Sequence, residues 1–183
     1  PDRVTSPCSY FHPGGCGGCD FQHISLERQR ALKSQIITEQ FQRVAKMTLT
    51  VPVQEVALEI DSGSRYRGRL TLHVDRTGQA GFLKNRSHEV FPITDCLVAS
   101  EKLGVGKVLA ARHVDVDRIS LPDEMRIEEI HVHGNSFQYR VSKESFWQGH
   151  IRAAEVLGEA ALNSLSPRKG ERALDLYGGV GLF

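Results

Sequence analysis

Arg65-Tyr66-Arg67-Gly68-Arg69-Leu70-Thr71-Leu72-His73-Val74 reads as a strand whose two-residue period puts Tyr66, Leu70, Leu72 and Val74 on one face. Arg65, Arg67, Arg69, Thr71 and His73 take the other. Short β segments flank it at Val51–Ile60, Gly81–Leu83 and Glu89–Ile93, punctuated by Asp61-Ser62-Gly63 and Arg76-Thr77-Gly78. This spacing predicts a small antiparallel sheet. Before it, Leu32, Ile36 or Ile37, Phe41 and Val44 keep helical spacing from Ser25 to about Lys46, with Ser25 as cap and Glu27 suited to the positive end.

After the sheet, a helix is predicted over Leu97–His113, then strands at Arg126–His133 and Phe137–Val141 joined by a Gly134-Asn135 turn. The next helix carries Ile151, Ala154, Leu157, Ala161 and Leu165 and ends at Ser166-Pro167-Arg168-Lys169-Gly170. Arg172–Tyr177 then reads as a buried strand running into Gly178-Gly179-Val180-Gly181. Such a turn is where a doubly wound α/β fold receives a nucleotide or adenosyl ligand. Standing alone, it reads equally as a plain glycine turn.

At 183 residues, with 40% apolar and 25% charged residues, the chain can hold one domain or two small ones with a packed core. No apolar run approaches the roughly 20 residues of a membrane span, and the N-terminus lacks a signal-peptide pattern. A soluble, cytoplasmic protein without a membrane partner is expected, and nothing calls for an obligate protein partner. The ends at Pro1 and Phe183 read as those of a fragment.

The net charge of +1 selects no partner by itself. The aligned Arg65, Arg67 and Arg69 do point locally to a polyanion such as an RNA backbone, since like charges along a strand cost stability. Pairing with acids on neighbouring strands, such as Glu55 and Glu59, accounts for them equally well. The stretch Asp115–Glu129 is acidic, so the basic signal is local. His131 and His133 share a strand face but have no third ligand in view, and read as solvated or core-edge histidines.

Three of the four cysteines lie in Cys8-x7-Cys16-Gly-Gly-Cys19, and the fourth is Cys96. A C-x-x-C pair among glycines brings two thiolates to one side of a tight turn. Four thiolates match the needs of a [4Fe–4S] cluster or a structural zinc ion, with a redox pair at Cys16 and Cys19 as the alternative. Cys96 is taken as the fourth ligand because no other thiol remains.

Cys8, Cys16-Gly-Gly-Cys19, Phe21-Gln22-His23, Tyr66-Arg67-Gly68-Arg69, Gly81-Phe82, Cys96, Ser145-Phe146-Trp147-Gln148 and Ala173-Leu174-Asp175-Leu176-Tyr177-Gly178-Gly179-Val180-Gly181-Leu182-Phe183 follow one another in a familiar order. The chain resembles the S-adenosylmethionine-dependent RNA (uracil-5-)-methyltransferases of tRNA and 23S rRNA, and within them the iron–sulfur-containing branch. The resemblance covers essentially the whole chain. It implies an α+β architecture: a cysteine-rich cluster-binding segment and helix over 1–47, an inserted antiparallel β domain over 48–133, and the beginning of a doubly wound, Rossmann-like methyltransferase domain over 134–183.

It further implies a [4Fe–4S] cluster on Cys8, Cys16, Cys19 and Cys96, and an S-adenosylmethionine pocket using Gln148, Tyr177, Gly179 and Gly181. RNA contact is expected at Arg65, Arg67 and Arg69. The family's reaction adds a cysteine thiolate to uracil C6 and removes the C5 proton with a carboxylate. In the resemblance both groups follow the glycine turn, so the chain alone is expected to be inactive. The alternative is a non-catalytic RNA-binding module with a four-thiolate zinc site.

Overall fold

The computed structural model describes residues 2–56 and 63–183. The periodic stretch after Ser25 forms helix α1, Leu26–Gln40. Ser25 Oγ accepts the Arg28 backbone N–H at 3.3 Å, capping one of the free donors of the first turn. One wider turn, Phe41–Ala45, prolongs the helix, and Lys46 ends it in the left-handed region at φ 58°. No residue of α1 is buried, so its apolar stripe is only partly covered.

The Arg65–Val74 stretch becomes a strand only from Leu70. Strand β1 (Leu70–Val74) pairs antiparallel with β2 (Ala80–Leu83) and with β4 (Arg118–Leu121), and β3 (Val90–Pro92) pairs with β2. The resulting order is β3-β2-β1-β4. Strand β4 lies inside the acidic stretch that gave no strand signal; its four residues are too few for a period to show. Of the expected strand Val51–Ile60, residues 51–56 form none, and 57–60 lie outside the described residues.

The β1–β2 connection is set by local chemistry. Asp75 Oδ1 accepts from Thr77 N (2.8 Å), Thr77 Oγ1 (2.7 Å) and Gln79 N (2.9 Å), an Asx-type turn. Gly78 sits at φ 82°, and a Cβ there would lie 2.6 Å from the His113 carbonyl oxygen. Only glycine fits that approach.

Leu70 and Leu72 point inward with Ala80, Phe82 and Leu121, as the two-residue period requires. The layer over them comes from residues 96–110, through Val98, Ala99, Val105 and Leu109. The helix expected over Leu97–His113 is shorter. A 3-10 turn, Glu101–Leu103, and helix α2, Val105–Ala110, are separated by Gly104 at φ 59°, which interrupts a continuous helix.

Strands β5 (Arg126–Val132) and β6 (Asn135–Val141) form a separate hairpin. Its two-residue turn is His133–Gly134, at φ 48° and 76°, one position before the expected Gly134-Asn135. Both central residues of such a turn must be left-handed, which matches the strand twist. The hairpin therefore joins residues on both sides of position 133.

Helix α3 (Ala153–Leu165) packs on the hairpin through Ala154 and Gly158, where a Cβ would come 3.2 Å from Val132 Cγ2. Ile130, Val132, Val141, Trp147 and Ala154 make this second core.

The strand expected at Arg172–Tyr177 does not form. Among the described residues it pairs with no other strand, and Leu174 and Leu176 are 87% and 76% exposed. Parallel strands are held by ladder bonds to neighbours, and this segment has none. The α+β architecture with an inserted antiparallel sheet stands, while the expected first strand of a doubly wound sheet is an irregular segment that turns at Leu176–Tyr177. No helix among the described residues is long and apolar enough to cross a membrane.

Candidate functional site

The cysteine loop docks on the sheet by backbone contact. Gly17 N–H donates to the Leu83 carbonyl at 2.9 Å, and Cys16 bridges Lys84 as a short extra rung. A Cβ at Gly17 would lie 2.7 Å from Leu83 O and 2.8 Å from Asn85 N, so this docking requires glycine. Tyr10 fastens the loop from the other side, its hydroxyl 2.7 Å from Thr94 Oγ1 and accepting the Thr94 N–H at 3.2 Å.

Cys8, Cys16, Cys19 and Cys96 consequently line one hollow, with Phe82, Ile93 and Val98 among its walls. Its volume is 20 Å³, about the space of one water. All four are free thiols. Burial, above all other causes, pushes the Cys16 and Cys96 thiols up from their ordinary range.

Among the described residues, no group of three or more His, Cys, Asp or Glu side chains is arranged to hold a metal ion. The [4Fe–4S] cluster expected on these cysteines, and with it the cluster-binding segment and the iron–sulfur branch of the resemblance, is therefore corrected. The four-thiolate zinc alternative loses its support by the same finding.

The three arginines are not a row on a strand. Arg65, at φ 51°, pairs with Asp95 at 2.7 Å and donates to the Cys96 carbonyl at 2.9 Å. Arg67 reaches the Gly18 carbonyl at 3.5 Å, while its backbone N–H donates to Val98 O at 2.8 Å and its carbonyl accepts from Ser100 N at 2.9 Å. Arg69 donates to the Trp147 carbonyl at 2.8 Å and lies 5.5 Å from the Phe146 ring centroid, a cation–π contact. Each guanidinium thus reaches a different part of the chain. Glu55, offered as a sheet partner for them, pairs instead with Arg30 on α1 at 3.2 Å; Glu59 lies outside the described residues.

Chain neighbours of three of the expected cofactor residues, Gln148, Gly179 and Gly181, belong to or pack on the second core. Gln148 is half-buried beside Trp147, and Gly149 O accepts the Gly68 N–H at 2.8 Å. From the C-terminal segment, Val180 and Leu182 pack on the cluster that contains Trp147. Tyr139 links the two: its ring lies 5.4 Å from that of Trp147, and its hydroxyl donates to Leu182 O at 3.3 Å. Gly179 and Gly181 take φ 60° and 77°, and no atom lies within 4 Å of a Cβ built at Gly181, so the turn leaves its backbone open to a ligand. Tyr177 is fully exposed and touches none of this.

Sequence reading missed a stacked pair, Tyr66 and His150, with ring centroids 5.5 Å apart. They stand in a groove of 750 Å³ between α1, the cysteine loop and the start of the 149–151 crossing, shared with Phe21, Arg30, Lys33 and Arg67. Burial, then Arg152, holds the His150 imidazole below its usual range, and burial raises the Tyr66 phenol. The two residues are far apart in sequence and carry no shared pattern, so no local signal marked them. His131 and His133 each have a partner on α3: the His131 backbone N–H donates to Glu155 Oε1 at 3.1 Å, with its Nδ1 3.6 Å from the same oxygen, and His133 Nε2 lies 3.1 Å from Asn163 Oδ1.

No family model matches the chain. A Streptomyces avermitilis protein named as an uncharacterized RNA methyltransferase is 38% identical to it, over all of this chain and 54% of the relative. A Streptomyces coelicolor protein of the same description is 35% identical over all of the chain and 51% of the relative. A 23S rRNA (uracil(1939)-C(5))-methyltransferase of Idiomarina loihiensis is 40% identical over 56% of the chain and 24% of its own length. The chain spans about half the length of the curated relatives it matches along its whole extent. Along its whole extent the chain is thus similar to proteins described as RNA methyltransferases, and over about half of it to one named for uracil C5 of 23S rRNA.

Proposed function

We propose that this chain is part of an RNA methyltransferase that transfers a methyl group from S-adenosylmethionine to C5 of a uridine in rRNA or tRNA, working in the cytoplasm. The observation that carries the reading is its similarity, over its full length, to proteins named as RNA methyltransferases. The uracil-C5 assignment rests on the half-chain likeness to a protein named for that reaction. The open glycine turn at 179–181 and Gln148, both tied to the core around Trp147, support an adenosyl site.

When bound, S-adenosylmethionine would supply an electrophilic methyl group. In this reading Gln148 hydrogen-bonds the cofactor's polar part, while Gly179 and Gly181 let it approach the backbone. Tyr177, free on the surface, lies against it once it is bound. In this reading the uracil nucleophile is none of the four cysteines, which line one small hollow with Cys96 buried. The chain alone then binds cofactor without methylating RNA.

Equilibrium dialysis with labelled S-adenosylmethionine tests this. Binding is expected and is weakened roughly tenfold by Gln148→Ala, as for one lost hydrogen bond to a polar ligand. Absence of binding by the unaltered chain overturns the cofactor assignment. Label appearing in unmodified rRNA or tRNA places the nucleophile among the chain's own groups instead.

A further inference from the structure

The outer face of the four-stranded sheet carries cations, two of which have no ion-pair partner among the described residues. Strand β1 presents Thr71 and His73 there, and the register sets Ser120 and Arg118 of β4 directly opposite them. Thr71 Oγ1 lies 3.3 Å from Ser120 Oγ. On the β2 side, Gly81 stands beside His73, so no side chain rises from that position. The β2–β3 connection then lifts Lys84, Arg86 and His88 over a surface hollow of 480 Å³ whose floor includes Thr71 and His73.

This rim is built. Arg86 takes φ 56°, Ser87 N–H donates to Lys84 O at 3.1 Å, and Glu89 N–H donates to Ser87 Oγ at 3.0 Å. Gly17 of the cysteine loop fixes the base of the turn from behind, through Leu83. Lys84 is paired with Glu89 at 2.6 Å. Arg86 and Arg118 are exposed and have no ion-pair partner among the described residues. Arg118 stands directly opposite His73 in the β1–β4 register, and burial, then Arg118, holds the His73 imidazole below its usual range.

We propose that this face, with Arg86 and Arg118 on its two rims and Thr71, His73 and Ser120 between them, contacts the phosphate and sugar backbone of an RNA. The proposal deepens the RNA methyltransferase reading and rests on it. It moves the basic contact from Arg65, Arg67 and Arg69, whose donors are turned to carbonyls and Asp95, to two guanidiniums whose donors are unspent among the described residues. Hydroxyls and a neutral imidazole between the two charges suit ribose hydroxyls, and the face lacks the enclosed slots that base-edge reading needs.

The test is binding of a fluorescein-labelled RNA stem–loop to the unaltered chain over a range of KCl concentrations. Each phosphate contact contributes about 0.7–0.9 to the slope of log affinity against log salt. The double variant Arg86→Gln/Arg118→Gln is expected to flatten that slope by about 1.5 and to weaken binding roughly tenfold at about 0.1 M salt. Arg168→Gln/Arg172→Gln, which removes the same charge elsewhere, keeps the original slope. Thermal melting checks that each variant is folded.

An unchanged slope in Arg86→Gln/Arg118→Gln, or equal flattening by both pairs, overturns this face while leaving the RNA reading intact. Failure of the unaltered chain to bind the stem–loop overturns both, and the two failures are read from different proteins.

Discussion

The four-stranded sheet and the β5–β6 hairpin with α3 each carry an apolar face, but they cover it differently. Leu72 in β1 is fully buried, because residues 96–110 lay Val98, Ala99, Val105 and Leu109 over that face. Val141 in β6 is equally buried, yet the unit around it leaves Ile127, Phe137, Leu157 and Leu165 exposed. The difference lies in the second layer. A sheet needs cover over its apolar face, and α3 supplies only the strip that Ala154 and Gly158 can reach. Periodicity states which side of an element is apolar, and the partner decides whether that side is dry.

The widest gap between the two regions should appear in paired truncations. Leu72→Ala is expected to cost about 3 kcal/mol, as for a fully buried leucine, and Leu157→Ala, at 41% exposure, less than about 1 kcal/mol. Trp147 is the single tryptophan and sits in the second core, so its fluorescence follows the hairpin unit while far-UV circular dichroism follows both. Coincident urea transitions by the two probes in Leu72→Ala would show that the regions unfold as one, and the contrast between them would then concern packing alone.

A smaller effect should come from the docking of the cysteine loop. Gly17→Ala forces a Cβ within 2.7 Å of the Leu83 carbonyl and should cost about 2 kcal/mol. Alkylation followed by peptide mass analysis reads the outcome directly: Cys16 and Cys96 should react faster in the variant, as their shared hollow opens. Unchanged labelling would mean that Tyr10 and Thr94 hold the loop without help from Gly17.

The least effect concerns charge. The hydrogen bond from Arg65, ahead of other causes, holds the Asp95 carboxyl below the usual carboxylate range. A carboxyl depressed in the folded chain stabilises it above its unfolded pKa of about 3.9, and that stability is lost as pH falls through the folded value. The pair is partly solvated, so the contribution is at most about 1 kcal/mol. Melting temperature should fall more steeply below about pH 4 in the unaltered chain than in Asp95→Asn. Parallel curves would remove this pair from the forces holding the sheet unit together.

Much of this could be read in advance where a local rule decides. The cap at Ser25, the inward turn of Leu70 and Leu72, and the Gly-containing hairpin all follow from patterns a few residues long. The errors arise where distant residues decide. Arg65, Arg67 and Arg69 looked like one charged row because their spacing is two, but their partners lie as much as 78 positions away. The cysteines looked like ligands because of their spacing, which brings them to one hollow without arranging them to hold an ion. Arg172–Tyr177 read as a buried strand because it runs into a glycine turn, and without a neighbouring strand among the described residues Leu174 and Leu176 stay 87% and 76% exposed.

The crossing at Tyr66–Gly68 bears on the order in which the chain folds. Its main chain and side chains hold Gly18, Val98, Ser100, Gly149 and Ile151 at once, joining pieces that are local to nothing. Each of these closures must meet the entropy of a long loop before any contact repays it. The hairpin, with its two-residue turn, can form early and alone. Loop-closure entropy predicts that the crossing settles after the hairpin, and pulsed hydrogen exchange at the amides of Arg67 and Gly68 reads that order.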